Sequence, residues 1–221
     1  MTTLSIQKIY TALSGLYICA VINILFILGT VIGLGIFGLG PSLLAAISIS
    51  RMYHQHRMNK PWRYYWRSYR QNFFSGNIIM LPLIGVLLFL RWDTQWVLSM
   101  GIVNDHVILL IFSVIQIVTL LTLCFGMTIF DFYHIRAFDA LKNGYRFIFY
   151  NLAGSILTLV WIGICFYGSL MFPGVILFFS IGLFILVMTG IHLKLYEKNE
   201  EKLAEEEMDC GTKMVKESTA H

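Results

Sequence analysis

The stretch Arg51-Met52-Tyr53-His54-Gln55-His56-Arg57-Met58-Asn59-Lys60-Pro61-Trp62-Arg63-Tyr64-Tyr65-Trp66-Arg67-Ser68-Tyr69-Arg70-Gln71-Asn72-Phe73-Phe74-Ser75-Gly76-Asn77 decides the fold of this chain. It carries six Lys or Arg and no Asp or Glu, and long apolar runs lie on both sides of it. A basic loop of this length between apolar runs fixes orientation, because short loops rich in Lys and Arg stay on the cytoplasmic side of a membrane. The reading that follows is an all-α, polytopic transmembrane helical bundle.

Composition agrees. The 221 residues are 57% hydrophobic and 13% charged, against the ~25% charged residues of soluble domains. Residues 1–196 hold twelve Lys or Arg and four Asp or Glu, a balance of +8. Residues 197–221 hold four Lys and eight acids, a balance of −4. The division is therefore a membrane domain, 1–196, and a charged cytoplasmic tail, 197–221, helical at first and partly disordered beyond Asp209. A basic body suits a bilayer with anionic head groups. No nucleic-acid partner is expected, since the basic residues sit beside membrane spans. Cys19, Cys124 and Cys165 lie in apolar runs and Cys210 in the tail, with no disulfide or zinc pattern. The apolar stretch after Lys8 is longer than a signal-peptide core, so no cleaved leader is expected.

Working outward from the loop, Leu13 to Phe37 forms the first span, and Gly38-Leu39-Gly40-Pro41 is expected to break it, with Pro41 opening the second helix. A helix from Pro41 through Arg57 just spans. Gly29 and Gly33 on the first helix, and Ser42, Ala46 and Ser50 on the second, offer small faces for close packing in lipid. The competing arrangement is five spans plus a re-entrant segment. From Pro61 an amphipathic helix lies at the membrane surface, with Arg63, Arg67 and Arg70 on one face and Trp62, Trp66, Tyr69 and Phe73 on the next.

The third span is Phe73 to Leu90, and Arg91 to His106 forms an external loop with Trp92 and Trp96 as anchors. Val107 to Phe130 is the fourth span. Asp131 to Phe147 is a second cytoplasmic loop, with Arg136, Lys142 and Arg146. Ile148 to Phe172 is the fifth span, Pro173-Gly174 a tight turn, and Val175 to Leu193 the sixth, with Gly182 and Gly190 spaced to share a face. Six helices in three hairpins result, with both termini cytoplasmic. An internal echo accompanies them. Tyr53-His54 returns as Tyr133-His134, and Tyr69-Arg70-x-x-Phe73-Phe74 as Tyr145-Arg146-x-x-Phe149-Tyr150. Duplication of a two-helix unit would produce such an echo.

Asn23, the segment Gly35-Ile36-Phe37-Gly38-Leu39-Gly40-Pro41-Ser42-Leu43-Leu44-Ala45-Ala46, Arg51, Tyr65-Trp66-Arg67-Ser68-Tyr69-Arg70-Gln71-Asn72-Phe73 and Asn77 resemble the YesL-like family of bacterial integral membrane proteins, a domain of unknown function. Ala137-Phe138-Asp139-Ala140-Leu141-Lys142-Asn143 and Asn151-Leu152 resemble that family's second cytoplasmic segment. The resemblance covers about residues 15–193. Members are often encoded beside carbohydrate ABC transporters, so it implies a bacterial cell membrane, a role near sugar uptake, and permease subunits of such a transporter as partners. It supplies no catalytic residues.

The residues that could carry function are few. Arg63, Arg67 and Arg70 with Trp62 and Trp66 are the candidate contact to lipid or partner. Asn23 and Gln116 are the polar groups deepest in the apolar runs. Each must face the bundle interior, because an unpaired amide in lipid costs several kcal/mol. His54, His56 and His134 lack carboxylates or thiolates at ligand spacing, so no metal and no cofactor is expected. Asp131-x-x-His134 could place an acid and a base on one helical face. Asp139 sits two turns beyond Asp131, and a capping Asp near the loop helices, paired locally with Arg136 or Lys142, is the simpler expectation. The function these observations favour is a non-enzymatic accessory or regulatory partner of a carbohydrate uptake or cell-envelope system. A small-solute, sugar-related transporter is the alternative, and would need a polar cavity around Asn23 and Gln116. A membrane enzyme acting on lipid-linked sugars comes last. The sequence names no solute and no oligomeric state.

Overall fold

A computed structural model describes residues 2–58, 60–100, 105–171 and 180–218, with side chains between residues 13 and 205 of these. The described residues form eight helices and no strand: α1 (Thr2–Ile32), α2 (Ile36–His54), α3 (Pro61–Gln71), α4 (Phe73–Met100), α5 (Asp105–Tyr133), α6 (Ala137–Tyr150), α7 (Leu152–Met171) and α8 (Ile181–Ser218). Five of them are long and apolar enough to cross a membrane: Leu13–Ile32, α2, α4, His106–Tyr133 and α7. The first residues of the sixth expected span, 175–179, and the Pro173-Gly174 turn lie outside the described residues.

The first break falls earlier than its glycines and proline suggest. It is Gly33-Leu34-Gly35 that turns the chain, with Leu34 at φ 59° and Gly35 at φ 76°. Glycine enters this left-handed region without the penalty a side chain meets. Pro41 then sits inside α2. In this second turn it removes the amide that would otherwise donate to the Phe37 carbonyl.

The α1–α2 hairpin closes through small residues, as their spacing predicts. A methyl group on Gly29 would fall 2.6 Å from the Ser42 hydroxyl, and one on Gly33 would fall 2.7 Å from the Gly38 nitrogen. α2 is one uninterrupted helix of 19 residues rather than a broken re-entrant segment. It touches α1, α3, α4, α5 and α8 and forms the centre of the bundle. Gly38, Gly40, Ser42, Ala45, Ala46, Ser48 and Ser50 are all buried, and such short side chains let neighbours come to backbone distance. At the crossing with α4, a methyl on Gly40 would sit 2.6 Å from the Gly76 carbonyl carbon. On α8, Gly182 meets the Cys19 backbone and Gly190 the His54 ring, so both glycines serve the first hairpin.

Several expected loops are helical. α4 continues through Arg91 to Met100, and most of the second basic loop forms α6. α6 folds back along α5: a methyl on Gly144 would lie 2.8 Å from the Gly126 nitrogen. α3 folds back along α2 in the same way, with Ser68 against Ser48. Each short helix ends at an asparagine, Asn72 or Asn151, before the next long helix begins. The echo in sequence therefore matches a recurring order of elements. Packing diverges: α4 lies closely against α2, whereas α7 packs chiefly on α8.

Candidate functional site

α3 is the amphipathic helix its sequence describes, with Pro61 in its first turn. Arg63, Arg67 and Arg70 are exposed, and among the described residues none of them is in an ion pair. With Lys60, Trp62, Tyr64 and Trp66 they line an open groove of about 960 Å³. The aromatic residues divide by role. Trp62 is 55% exposed. Trp66 is half-buried, with its ring edge-on to Trp62, Tyr65 and Tyr69. Tyr65, Ser68 and Tyr69 face inward. Tyr69 does not anchor at an interface: its hydroxyl donates to the Gly29 carbonyl at 3.0 Å. Burial pushes the Tyr65 and Tyr69 phenols above their ordinary pKa. The outcome is a basic-aromatic ridge whose inner face is packed into the bundle.

Behind α3 lies a polar junction. Ser48 of α2 shares a hydrogen bond with Ser68 at 3.1 Å and donates to Asp131 Oδ1 of α5. Asp131 Oδ2 accepts from Arg51 Nε at 2.7 Å, the one ion pair among the described residues. The partner of Asp131 is therefore Arg51, from a helix 80 residues earlier, and not Arg136 or Lys142. α5 ends at Tyr133, and His134 follows it at φ 52°, outside the helix that carries Asp131. His56 is exposed, and His54 Nε2 donates to the Leu186 carbonyl at 2.9 Å.

The junction continues around His192 of α8, which is fully buried. Its ring nitrogens meet the hydroxyls of Thr128 at 2.8 Å and Thr158 at 3.0 Å, and its ring stacks on Phe125 with centroids 4.2 Å apart. Tyr196 shares a 2.7 Å hydrogen bond with Thr128, and burial raises its phenol pKa. Sequence reading missed His192 because it falls in an apolar run. A histidine flanked there by Thr189 and Tyr196, one helical turn to either side, was the available signal.

Asn23 is fully buried. Gln116 is half-buried, with its amide 3.5 Å from the Thr94 hydroxyl across α4 and α5. The fold does not bring these two together, since α1 and α5 make no contact among the described residues. Neither lines the groove beside α3.

Residues 19–94 match the family described as "Protein of unknown function, DUF624". The uncharacterized protein YteU of Bacillus subtilis (strain 168) is 34% identical over 71 residues, 31% of this chain and 32% of that relative. The matched segment thus spans about a third of the curated relative's length. No solved structure matches the chain. The family match takes in Asn23, Arg51, α3 and the Gly40–Gly76 crossing, and stops before Asp131 and His192. From the middle of α1 through most of α4, over residues 19–94, the chain is thus similar to the DUF624 family, in keeping with its YesL-like resemblance.

Proposed function

We propose that the protein is a non-enzymatic accessory or regulatory partner of a carbohydrate uptake or cell-envelope system, which it contacts through the outer face of α3. The observation that carries this reading is the ridge itself. Arg63, Arg67 and Arg70 stand exposed without a carboxylate partner among the described residues, on a helix whose inner face is fixed by Tyr65, Ser68 and Tyr69. Cations on a packed helix meet an anionic surface with their backbone already ordered. Tryptophans beside arginines suit the head-group layer of a bilayer and the edge of a neighbouring membrane subunit. The excess of Lys and Arg in the segments around α3 and α6 supports a cytoplasmic position for that face and for both termini, in a bacterial cell membrane. The link to carbohydrate uptake rests on the family resemblance.

The test is recovery of partners from native membranes after mild crosslinking, identified by mass spectrometry. Permease subunits of a sugar transporter should come with the parent protein and be lost from the R63E/R67E/R70E variant at equal protein level. Recovery of the protein alone, or equal recovery from the variant, would refute the reading.

A further inference from the structure

α6 has an outer side that the α3 ridge does not account for. Phe138, Lys142, Tyr145 and Phe149 recur at the i, i+4, i+7, i+11 spacing of one helical side, with Arg146 beside them. Phe138 is 75%, Tyr145 50% and Phe149 56% exposed, and both cations are exposed. Ala140, Gly144 and Ile148 fill the opposite side. Tyr69, which Tyr145 echoes in sequence, turns inward to the Gly29 carbonyl. In α6 it is Gly144 that takes the inner side, and Tyr145 is left outside.

What covers this side follows from where α6 lies. Gly144 packs on Gly126, seven residues before α5 ends at Tyr133 and so about 10 Å inside the end of that helix. α5 is long and apolar enough to cross a membrane, and so is α7, which follows α6 after Asn151. The first turns of α7 expose Leu152 and Ile156. The outer side of α6 thus stands beside the end of one apolar span and leads into the next. Aromatic rings suit that depth. Lys142 and Arg146 need an anion there, and neither is in an ion pair among the described residues. Asp139, the one acid of α6, sits in its first turn. The anions beside the end of a span are phospholipid head groups, which long cationic side chains reach while their stems lie along apolar surface. We propose that the outer side of α6 is a binding site for an anionic phospholipid, with Lys142 and Arg146 on its phosphate and Tyr145 and Phe149 against its upper chains. The site needs none of Arg63, Arg67 and Arg70, and no partner protein.

The test is native mass spectrometry of the detergent-purified chain, titrated with phosphatidylglycerol or with phosphatidylcholine. It is run in an R63Q/R67Q/R70Q background, so that the α3 ridge does not contribute. Each cation near anionic head groups is worth about fivefold in affinity, so K142Q/R146Q should bind phosphatidylglycerol about 20–30-fold more weakly. Phosphatidylcholine binding should not change. Both substituted side chains are exposed, so the packed side of the helix is untouched. K198Q/K202Q removes the same charge from exposed positions of α8 and should leave the affinity unchanged. Equal phosphatidylglycerol binding with and without K142Q/R146Q, an equal loss in K198Q/K202Q, or competition by millimolar inorganic phosphate as strong as that by lipid would overturn the proposal. So would a dimer of the chain that K142Q/R146Q dissolves, since a second copy would then cover this side.

Discussion

Replacing Asp131 by Asn should be among the most damaging single changes in this protein. The carboxylate accepts from Arg51 at 2.7 Å and from Ser48, and is 5% exposed, while the Arg51 side chain is 16% exposed. At that separation, an effective dielectric of about 20 gives roughly 6 kcal/mol of attraction. Desolvation of both ions offsets much of it, so the pair itself contributes little net stability. Removing one partner is different, because it leaves the other charge buried and uncompensated, at about 3–5 kcal/mol. The partial exposure of Arg51 places D131N near the lower figure. For a chain of this size that is a fall in Tm of about 6–12 °C, read by tryptophan fluorescence in nanodiscs. R51M should cost more, toward the upper figure, because the carboxylate it strands is the more deeply buried of the two. The double variant R51M/D131L should recover most of the loss, because no charge is then left alone. The reasoning fails if either single variant lies within about 1 kcal/mol of the parent, or if the double variant is as damaged as the two singles added.

Three further outcomes follow from the geometry. Gly40→Ala forces a methyl into the Gly76 backbone. Neither helix can give way cheaply, so a loss of about 1–3 kcal/mol is expected in the same thermal assay. His192→Leu removes partners of Thr128 and Thr158, but both threonines keep bonds to their own helix carbonyls. Its cost should stay near 1–3 kcal/mol, clearly below that of D131N. Tyr65 and Tyr196 are buried as neutral phenols with raised pKa. Their unfolded counterparts ionise near pH 10, so this stability is intact below that pH and declines as pH rises through it. Melting curves at rising pH should show the decline, and Tyr65→Phe should make it shallower.

What could be read from sequence and what could not divide along a physical line. Helix packing between chain neighbours depends on local spacing, so Gly29, Gly33 and Ser42 announced the first hairpin, and Pro61 with its arginines announced α3. The turn before α2 was misplaced because two glycine pairs compete there. Proline is favoured at the first helical position, so Pro41 pointed to the later pair, whereas the helix takes it into its second turn. The buried junction was illegible for a different reason. An ion pair joining residues 80 apart leaves no local pattern, and each partner resembles an ordinary charge at a helix end. Its trace was nevertheless present in the internal echo. Arg51 stands two residues before Tyr53-His54, and Asp131 two before Tyr133-His134. The two halves meet at corresponding positions. Equal side chains there would set two like charges together in the bundle at a cost of several kcal/mol, whereas Arg opposite Asp turns the same contact into the polar joint on which α3, through Ser68 and Ser48, also rests.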